Sequence, residues 1–357
     1  MKKQIKTAIV CAYHPAEDDL EETTKSAMKS AGKGASFYAV CDKDESGPGA
    51  NRNRGIEAAT DADVIIIIDA HMRFKADVLS KMIKQVYKNG GLLVPFCHHN
   101  EDCSFAGKDG HYYAGARIVF KSRDGHEFKP LDAKWSRDTS PGERSCVMGA
   151  CYAFRRDWYM GDAGQPLAIL NGWGCDEQVL SIAAWMTAQK IEVIDGHVAH
   201  RYRPRPPWTP SRKAIESVTG SRIAMIQSIV SDATDRRELF SWMNAREPDG
   251  HATDSVNRFR AAMLNAPRNW RAWKAMVCEP QEIDGEQFTT RHVPTTAKRP
   301  STPTIRVPRH GIECPHCHEA HDNPRVTHTY PNGNKRHTCP TCSNPFMSYP
   351  VKIHGLN

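Results

Sequence analysis

The chain has 357 residues, 39% of them apolar and 25% charged, with a formal net charge of +7, the profile of a soluble globular protein with room for one large domain and a small accessory module. No apolar stretch reaches the roughly 18 residues of a bilayer span. The start "MKKQIKTAIVCAYHP" lacks the continuous apolar region and small-residue cleavage site of an export signal, and the modest positive charge permits a polyanionic partner without demanding one.

Taken in chain order, residues 6–13, 36–41, 63–69 and 91–97 are nearly continuous apolar runs, the pattern of strands in a sheet covered on both faces. Between them, 17–31, 51–60 and 76–89 are helix-like, the third with Leu79, Met82, Ile83 and Val86 at helical spacing beside exposed lysines. Alternation of this kind implies parallel βαβ units. Ligands of such sheets bind at the carboxyl ends of the strands, where Asp42, Asp69 and His71 fall. Residues 107–145, rich in glycine and charge, read as hairpins and loops over the sheet edge. A strand and a helical turn follow at 145–159, an amphipathic helix with an acidic first turn at 176–189, and a further strand in "IEVIDGHVAHRYR". "PRPPWTP" at 204–210 breaks regular structure, 211–278 is mostly helical, and 284–310 reads as a linker or strap. No internal repeat is visible.

The cysteines divide into two groups. Eight of the twelve lie between residues 11 and 278, several inside apolar runs (Cys11, Cys41, Cys97, Cys151), where a thiol behaves as a small hydrophobe. The remaining four form "CPHC" (Cys314, Cys317) and "CPTC" (Cys339, Cys342), 21 residues apart, the spacing of a four-cysteine zinc ribbon. This favours a reducing, cytoplasmic compartment (the host's, if the chain is viral) and a Zn2+ site over a disulfide framework. Zinc closure would hold a module too small to bury a core, with His316, His318 and His337 as substitute ligands.

The central feature is "DVIIIIDAHMRF" at 63–74, an apolar run that ends in Asp69 and His71. In an extended backbone both side chains point the same way and can grip one divalent ion, and a carboxylate with an imidazole suits manganese or another first-row metal. In isolation, Asp69 as a turn cap and His71 as plain surface is the simpler reading. Other features accumulate around it. "GANRNRGIEAA" places Arg52, Asn53 and Arg54 at a helix start that could meet anionic groups. "NGWGCDEQ" sets glycines around Trp173 before Asp176 and Glu177, and "GHVAHRYRPR" supplies His197 and His200, the latter a possible third ligand.

The order "NRNRG" (51–55), "DAH" (69–71), "GACYAFRRDWY" (149–159), "GWGCDE" (172–177) and "HRYR" (200–203) resembles the GT-A glycosyltransferases, closest to the family 2 and family 27 group that includes the polypeptide N-acetylgalactosaminyltransferases. The resemblance covers roughly residues 5–205 and does not reach the C-terminal cysteines. It implies an α/β fold with a Rossmann-like mixed sheet, and Mn2+ or Mg2+ held by Asp69, His71 and His200 against the diphosphate of a nucleotide-sugar donor, a UDP-sugar. It further implies Asp42 near the nucleoside and Asp176, the acidic fourth position of WGGE, near donor sugar or acceptor, while "RYRPRPPWTP" corresponds to a mobile loop. Cys175 and Asp176 depart from the family's second glycine and glutamate, which leaves the sugar open.

Chemistry assigns roles within this set. Arg52, Asn53, Arg201 and Arg203 are candidates for donor binding, Arg205 for a lid, and Trp173 for a flat wall against sugar or base. An inverting transfer needs a carboxylate base, which Asp176 or Glu177 could supply. A retaining transfer can leave the acceptor's proton to the donor phosphate, and the resemblance leans toward retention.

The expected organisation is a GT-A domain at 1–210, a mainly helical extension at 211–283, a linker at 284–310 and a zinc ribbon at 311–357. The expected function is metal-dependent transfer of a sugar to a hydroxyl, with hydroxymethylated bases of double-stranded viral DNA as one acceptor, the ribbon's basic charge and Tyr330 facing nucleic acid. Proteins and cell-envelope glycans are the alternative acceptors, and a catalytically inactive nucleic-acid-binding protein or a nucleotidyltransferase the alternative classes.

Overall fold

The computed structural model describes residues 4–105, 112–124, 127–138, 140, 142–202, 211–248 and 253–278, with short strands between 312 and 348. The chain divides into two compact units, Met1–Val293 and Pro294–Asn357.

The first unit begins β1 (Thr7–Tyr13), α1 (Leu20–Ala31), β2 (Ala35–Cys41), α2 (Gly47–Ala58), β3 (Val64–Ile68), β4 (Met72–Phe74), α3 (Val78–Asn89) and β5 (Leu92–Asn100). It continues with β6 (Tyr112–Tyr113), β7 (Ala116–Asp124), β8 (Glu127–Trp135), β9 (Cys151–Arg155), α4 (Arg156–Met160), a 3-10 turn (Pro166–Ile169), α5 (Asp176–Met186) and β10 (Ile191–Arg201). Four helices close it: α6 (Arg212–Ile229), α7 (Ala233–Trp242), α8 (Asp254–Leu264) and α9 (Trp270–Cys278).

The sheet order is β2-β1-β3-β9-β5-β10-β4, with β6 added on β5. The pairs β1/β2, β1/β3 and β5/β10 are parallel, as βαβ alternation implies, but β9 runs antiparallel between β3 and β5, and β4 runs antiparallel to β10. With the short β6 also antiparallel on β5, the sheet is mixed, as the family resemblance implied; the βαβ alternation accounts for its parallel pairs but not for β9 and β4. Both reach the sheet without a crossover helix of their own, so nothing in their local sequence marks their direction.

All five residues of β3 are buried because helices cover both faces. Ile66 and Ile68 pack with Leu79, Met82 and Val86 of α3 and Ala27 of α1. On the other face Ile65 and Ile67 pack with Tyr152, Phe154, Ile56 of α2 and Val179, Leu180 and Ala183 of α5. The same cluster includes Phe259, Trp270 and Trp273 of the C-terminal helices, so these helices share the core of the sheet. Helix α5 is buried on nearly every side, Asp176 included, which corrects the amphipathic reading: it is an interior helix between sheet and helical layer. Helix α2 starts at Gly47, earlier than its apolar pattern begins, because Pro48 suits a first helical turn and the Asp42 carboxylate accepts the Gly47 N–H at 3.1 Å.

The second unit contains β11 (Ile312–Glu313) antiparallel to β12 (Ala320–His321), and an antiparallel sheet of β13 (Arg325–Thr329), β14 (Lys335–Thr338) and β15 (Pro345–Ser348). Cys314, Cys317, Cys339 and Cys342, the expected zinc ligands, lie outside the described residues, as do Arg203, Arg205 and the 284–310 linker. Among the described residues, no helix is long and apolar enough to cross a membrane.

Candidate functional site

Asp69 and His71 occupy the short link between β3 and β4, fixed from two sides. The Asp69 N–H donates to the carbonyl of Ala150 at 3.1 Å. The buried hydroxyl of Thr23, on α1, donates to the Ala70 carbonyl at 2.8 Å and accepts from the Met72 N–H at 2.9 Å. Strand β4 then pairs with the end of β10 so that His200 faces Met72, and the Arg201 N–H donates to the His71 carbonyl at 3.0 Å. This pairing carries His200 across the chain to the aspartate: its Nε2 lies 3.4 Å from Asp69 Oδ2, and its ring centroid 4.7 Å from that of His71. One ligand atom from each of Asp69, His71 and His200 falls within 4.8 Å of the others. One carboxylate and two imidazoles at these separations fit Mn2+ or a similar first-row ion better than an all-oxygen cation.

Two residues that the sequence reading missed stand behind the imidazoles. Glu17, in the β1–α1 loop, places Oε2 3.0 Å from His71 Nδ1, with its side chain only 2% exposed. His99, on β5, places Nδ1 3.3 Å from His200 Nδ1. Burial, then the neighbouring His200 and His71, bring the His99 imidazole down to about 4. No local signal marks either residue, since each acts through a partner on another strand or loop.

Arg52 differs in role from the helix-start reading. It lies within α2, 4% exposed, with Nη2 2.5 Å from Asp69 Oδ1, Nη1 bonded to Asp176 Oδ2, and a further contact to the Gly149 carbonyl at 3.3 Å. Burial opposes ionisation of Asp69, but Arg52 and the two imidazoles outweigh it and hold the carboxyl below its usual range. Arg52 thus ties the carboxylates of Asp69 and Asp176 together.

The other candidates are placed as follows. Asn53 is buried and accepts a hydrogen bond from the Tyr159 hydroxyl at 2.7 Å, so it faces the core. Arg201 is ion-paired with Asp19 at 2.6 Å. Asp42 receives the N–H of Gly47 at the mouth of the β2–α2 loop. Trp173 is 51% exposed on the loop before α5. Glu177 accepts from the Trp135 indole at 3.3 Å; burial first, then the charge of Asp176, push its carboxyl well above the usual range despite Arg52.

The Trp173 loop is locked by close backbone approach. The Gly172 N–H donates to the Ser46 carbonyl at 2.6 Å and the Trp173 N–H to the Ser217 hydroxyl at 3.3 Å. A Cβ on Gly47, at φ +83°, would stand 2.0 Å from the Gly172 carbonyl oxygen. Cys175 has φ +70°, a left-handed conformation that glycine adopts without strain.

Residues 16–159 match the model of glycosyl transferase family 2. No curated protein matches the chain. Among solved structures, GalNAc-T7 with UDP, GalNAc and Mn2+ superposes with a TM-score of 0.55 at 14% identity, covering 78% of this chain and 57% of its own. The chain thus spans somewhat more than half the length of that relative, and the likeness establishes the GT-A-like fold. S. aureus TarS with UDP-GlcNAc (TM-score 0.41, 11% identity, 67% of this chain and 72% of its own) and A197 from STIV (0.37, 9%, 56% and 88%) are more distant.

Proposed function

We propose that the protein is a metal-dependent glycosyltransferase that takes its sugar from a nucleotide-sugar donor and transfers it to a hydroxyl group. The observation that carries this reading is the convergence of Asp69, His71 and His200 at the carboxyl end of β3, where an α/β sheet binds its ligand. Asp69, His71 and His200 would hold Mn2+, and a divalent ion there supplies positive charge against the negative charge growing on the leaving diphosphate. The presence of UDP and Mn2+ with GalNAc-T7 supports a UDP-sugar as the donor.

Asp176 is engaged by Arg52, and Glu177 is held toward its protonated form in contact with Trp135. The Arg52 contact occupies Asp176, the first candidate for an inverting enzyme's base. This supports transfer with retention, the proton passing to the donor's own phosphate. Asp176 then serves to orient sugar or acceptor, with Trp173 as an exposed flat surface beside it.

For the acceptor we favour a protein or glycan hydroxyl over a hydroxymethylated DNA base. The described arginines around the site are matched by carboxylates: Arg52 by Asp69 and Asp176, Arg54 by Asp44 at 2.9 Å, Arg73 and Arg201 by Asp19. Paired in this way they offer little net charge to a phosphate backbone. The spacing of Cys314, Cys317, Cys339 and Cys342 in the sequence supports a two-knuckle Zn2+ site in the second unit.

The test is a thermal-shift screen of sugar nucleotides with Mn2+, followed by transfer assays on glycan, peptide and hydroxymethylated-DNA acceptors. Binding and turnover of a UDP-sugar that vanish in Asp69→Ala support the reading; failure to bind or cleave any sugar nucleotide with Mn2+ removes it.

A further inference from the structure

His99 stands beside the group of Asp69, His71 and His200, whose ligand atoms lie within 4.8 Å of one another, without belonging to it. It stands directly behind His200, its partner in the β5/β10 register. The two Nδ1 atoms are 3.3 Å apart and the ring centroids 5.0 Å, while Nε2 of His200 is turned toward Asp69 at 3.4 Å. The His99 ring is enclosed by Trp135, Tyr113 and Tyr202, with centroids at 5.1, 5.9 and 4.9 Å.

Two facing Nδ1 atoms share a single hydrogen, so one donates and the other accepts. For His200 to offer the Nε2 lone pair to a cation, its own hydrogen must sit on Nδ1, and His99 Nδ1 must be the acceptor. We propose that His99 is a positioning residue that fixes the tautomer and ring orientation of His200, from within an aromatic box. Trp135, one wall of that box, also donates to Glu177, so the same indole supports the histidine behind the cation site and the carboxylate beside Asp176. The proposal rests on the metal reading above and adds to it a residue outside the ligand set.

The experiment compares wild type, His99→Phe, His99→Asn and Asp69→Ala by Mn2+ titration with electron paramagnetic resonance, in the absence of donor, alongside thermal melting. Phenylalanine fills the box but removes the acceptor; asparagine restores an acceptor oxygen near the Nδ1 position. The expected result is a loss of Mn2+ affinity of about tenfold to a hundredfold in His99→Phe, recovered to within about threefold in His99→Asn at similar melting temperature. Nitrogen-15 spectra of the wild type loaded with diamagnetic Mg2+ should show His200 protonated on Nδ1. Unchanged Mn2+ affinity in His99→Phe, equal loss in both His99 variants, or His200 protonated on Nε2 overturns the role of His99 alone. Unchanged Mn2+ binding in Asp69→Ala overturns the metal reading and this proposal with it.

Discussion

Arg52 Nη2 lies 2.5 Å from Asp69 Oδ1, which leaves Oδ2 on the side of His200. The carboxylate is thereby split between the Arg52 guanidinium and the face toward His200 where the proposed cation would bind. Substituting Asp69 by asparagine keeps the size but weakens both functions, since the amide is a poor cation ligand and presents an N–H group to its neighbours. Mn2+ titration of Asp69→Asn should show affinity lower by at least about tenfold, and transfer assays a fall in turnover of about a hundredfold or more.

Arg52 is buried between two acids, so its removal leaves both without their shared cation. Arg52→Met should cost about 3 kcal/mol of folding stability, read as a lower urea midpoint. Arg52→Lys, which keeps the charge without the planar fork, should lose less stability and still depress activity. A urea midpoint for Arg52→Met equal to that of wild type would remove the bridging role.

Glu177 gives a pH dependence with a definite sign. Burial and the charge of Asp176 hold its carboxyl above the usual carboxylate range in the folded protein, so the native state binds the proton more tightly than the unfolded chain. The stability this contributes is present at low pH and is lost as pH rises from about 4.5 through the raised folded value. Glu177→Gln cannot lose that proton and keeps an acceptor for Trp135. Melting temperatures between pH 6 and 9 should fall less steeply in Glu177→Gln than in wild type; parallel curves would show that Glu177 is not the group responsible.

Gly47→Ala places a methyl group 2.0 Å from the Gly172 carbonyl oxygen at a backbone φ of +83°. Backbone meets side chain there, so the α2 start or the Trp173 loop must move. We expect destabilisation of about 2–4 kcal/mol and a weaker donor KM, measured by chemical denaturation and steady-state kinetics. Gly32→Ala, also at positive φ but with open space around its Cβ, separates conformational strain from the clash.

For the cysteine pairs, metal analysis of the purified full chain should return about one Zn2+ per molecule. Cys339→Ser with Cys342→Ser should abolish it while Mn2+ binding at the Asp69 site persists. Zinc content unaffected by these substitutions would exclude the four-cysteine site.

Much of the scaffold could be read from local pattern. The apolar runs of β1, β3 and β5 and the 3.6-residue spacing of α3 are local consequences of burial, and Asp69 and His71 stood out because a long apolar run ends at two polar residues. His200 stood out as a third ligand from its place at the end of a strand and again through the family resemblance, but its contact with Asp69 depends on β4 pairing with β10, which no short stretch encodes. Glu17, His99 and Trp135 were missed for the same reason: each has an ordinary local sequence and acquires its role from a partner far along the chain. Arg52 was picked out by residue type, but its neighbours are two acids held in the interior, so it is a bridge where an open anion contact was expected.

The register of β10 slips between Val193 and His197 relative to β5, spanning four positions against two. Both counts are even, so side chains on either side of the irregularity keep their faces. An insertion or deletion of a single residue between 193 and 197 would turn His200 through the sheet and hand its place to a neighbour, whereas a change of two would leave it facing Asp69. Tolerance of this segment to length variation should thus follow odd and even numbers.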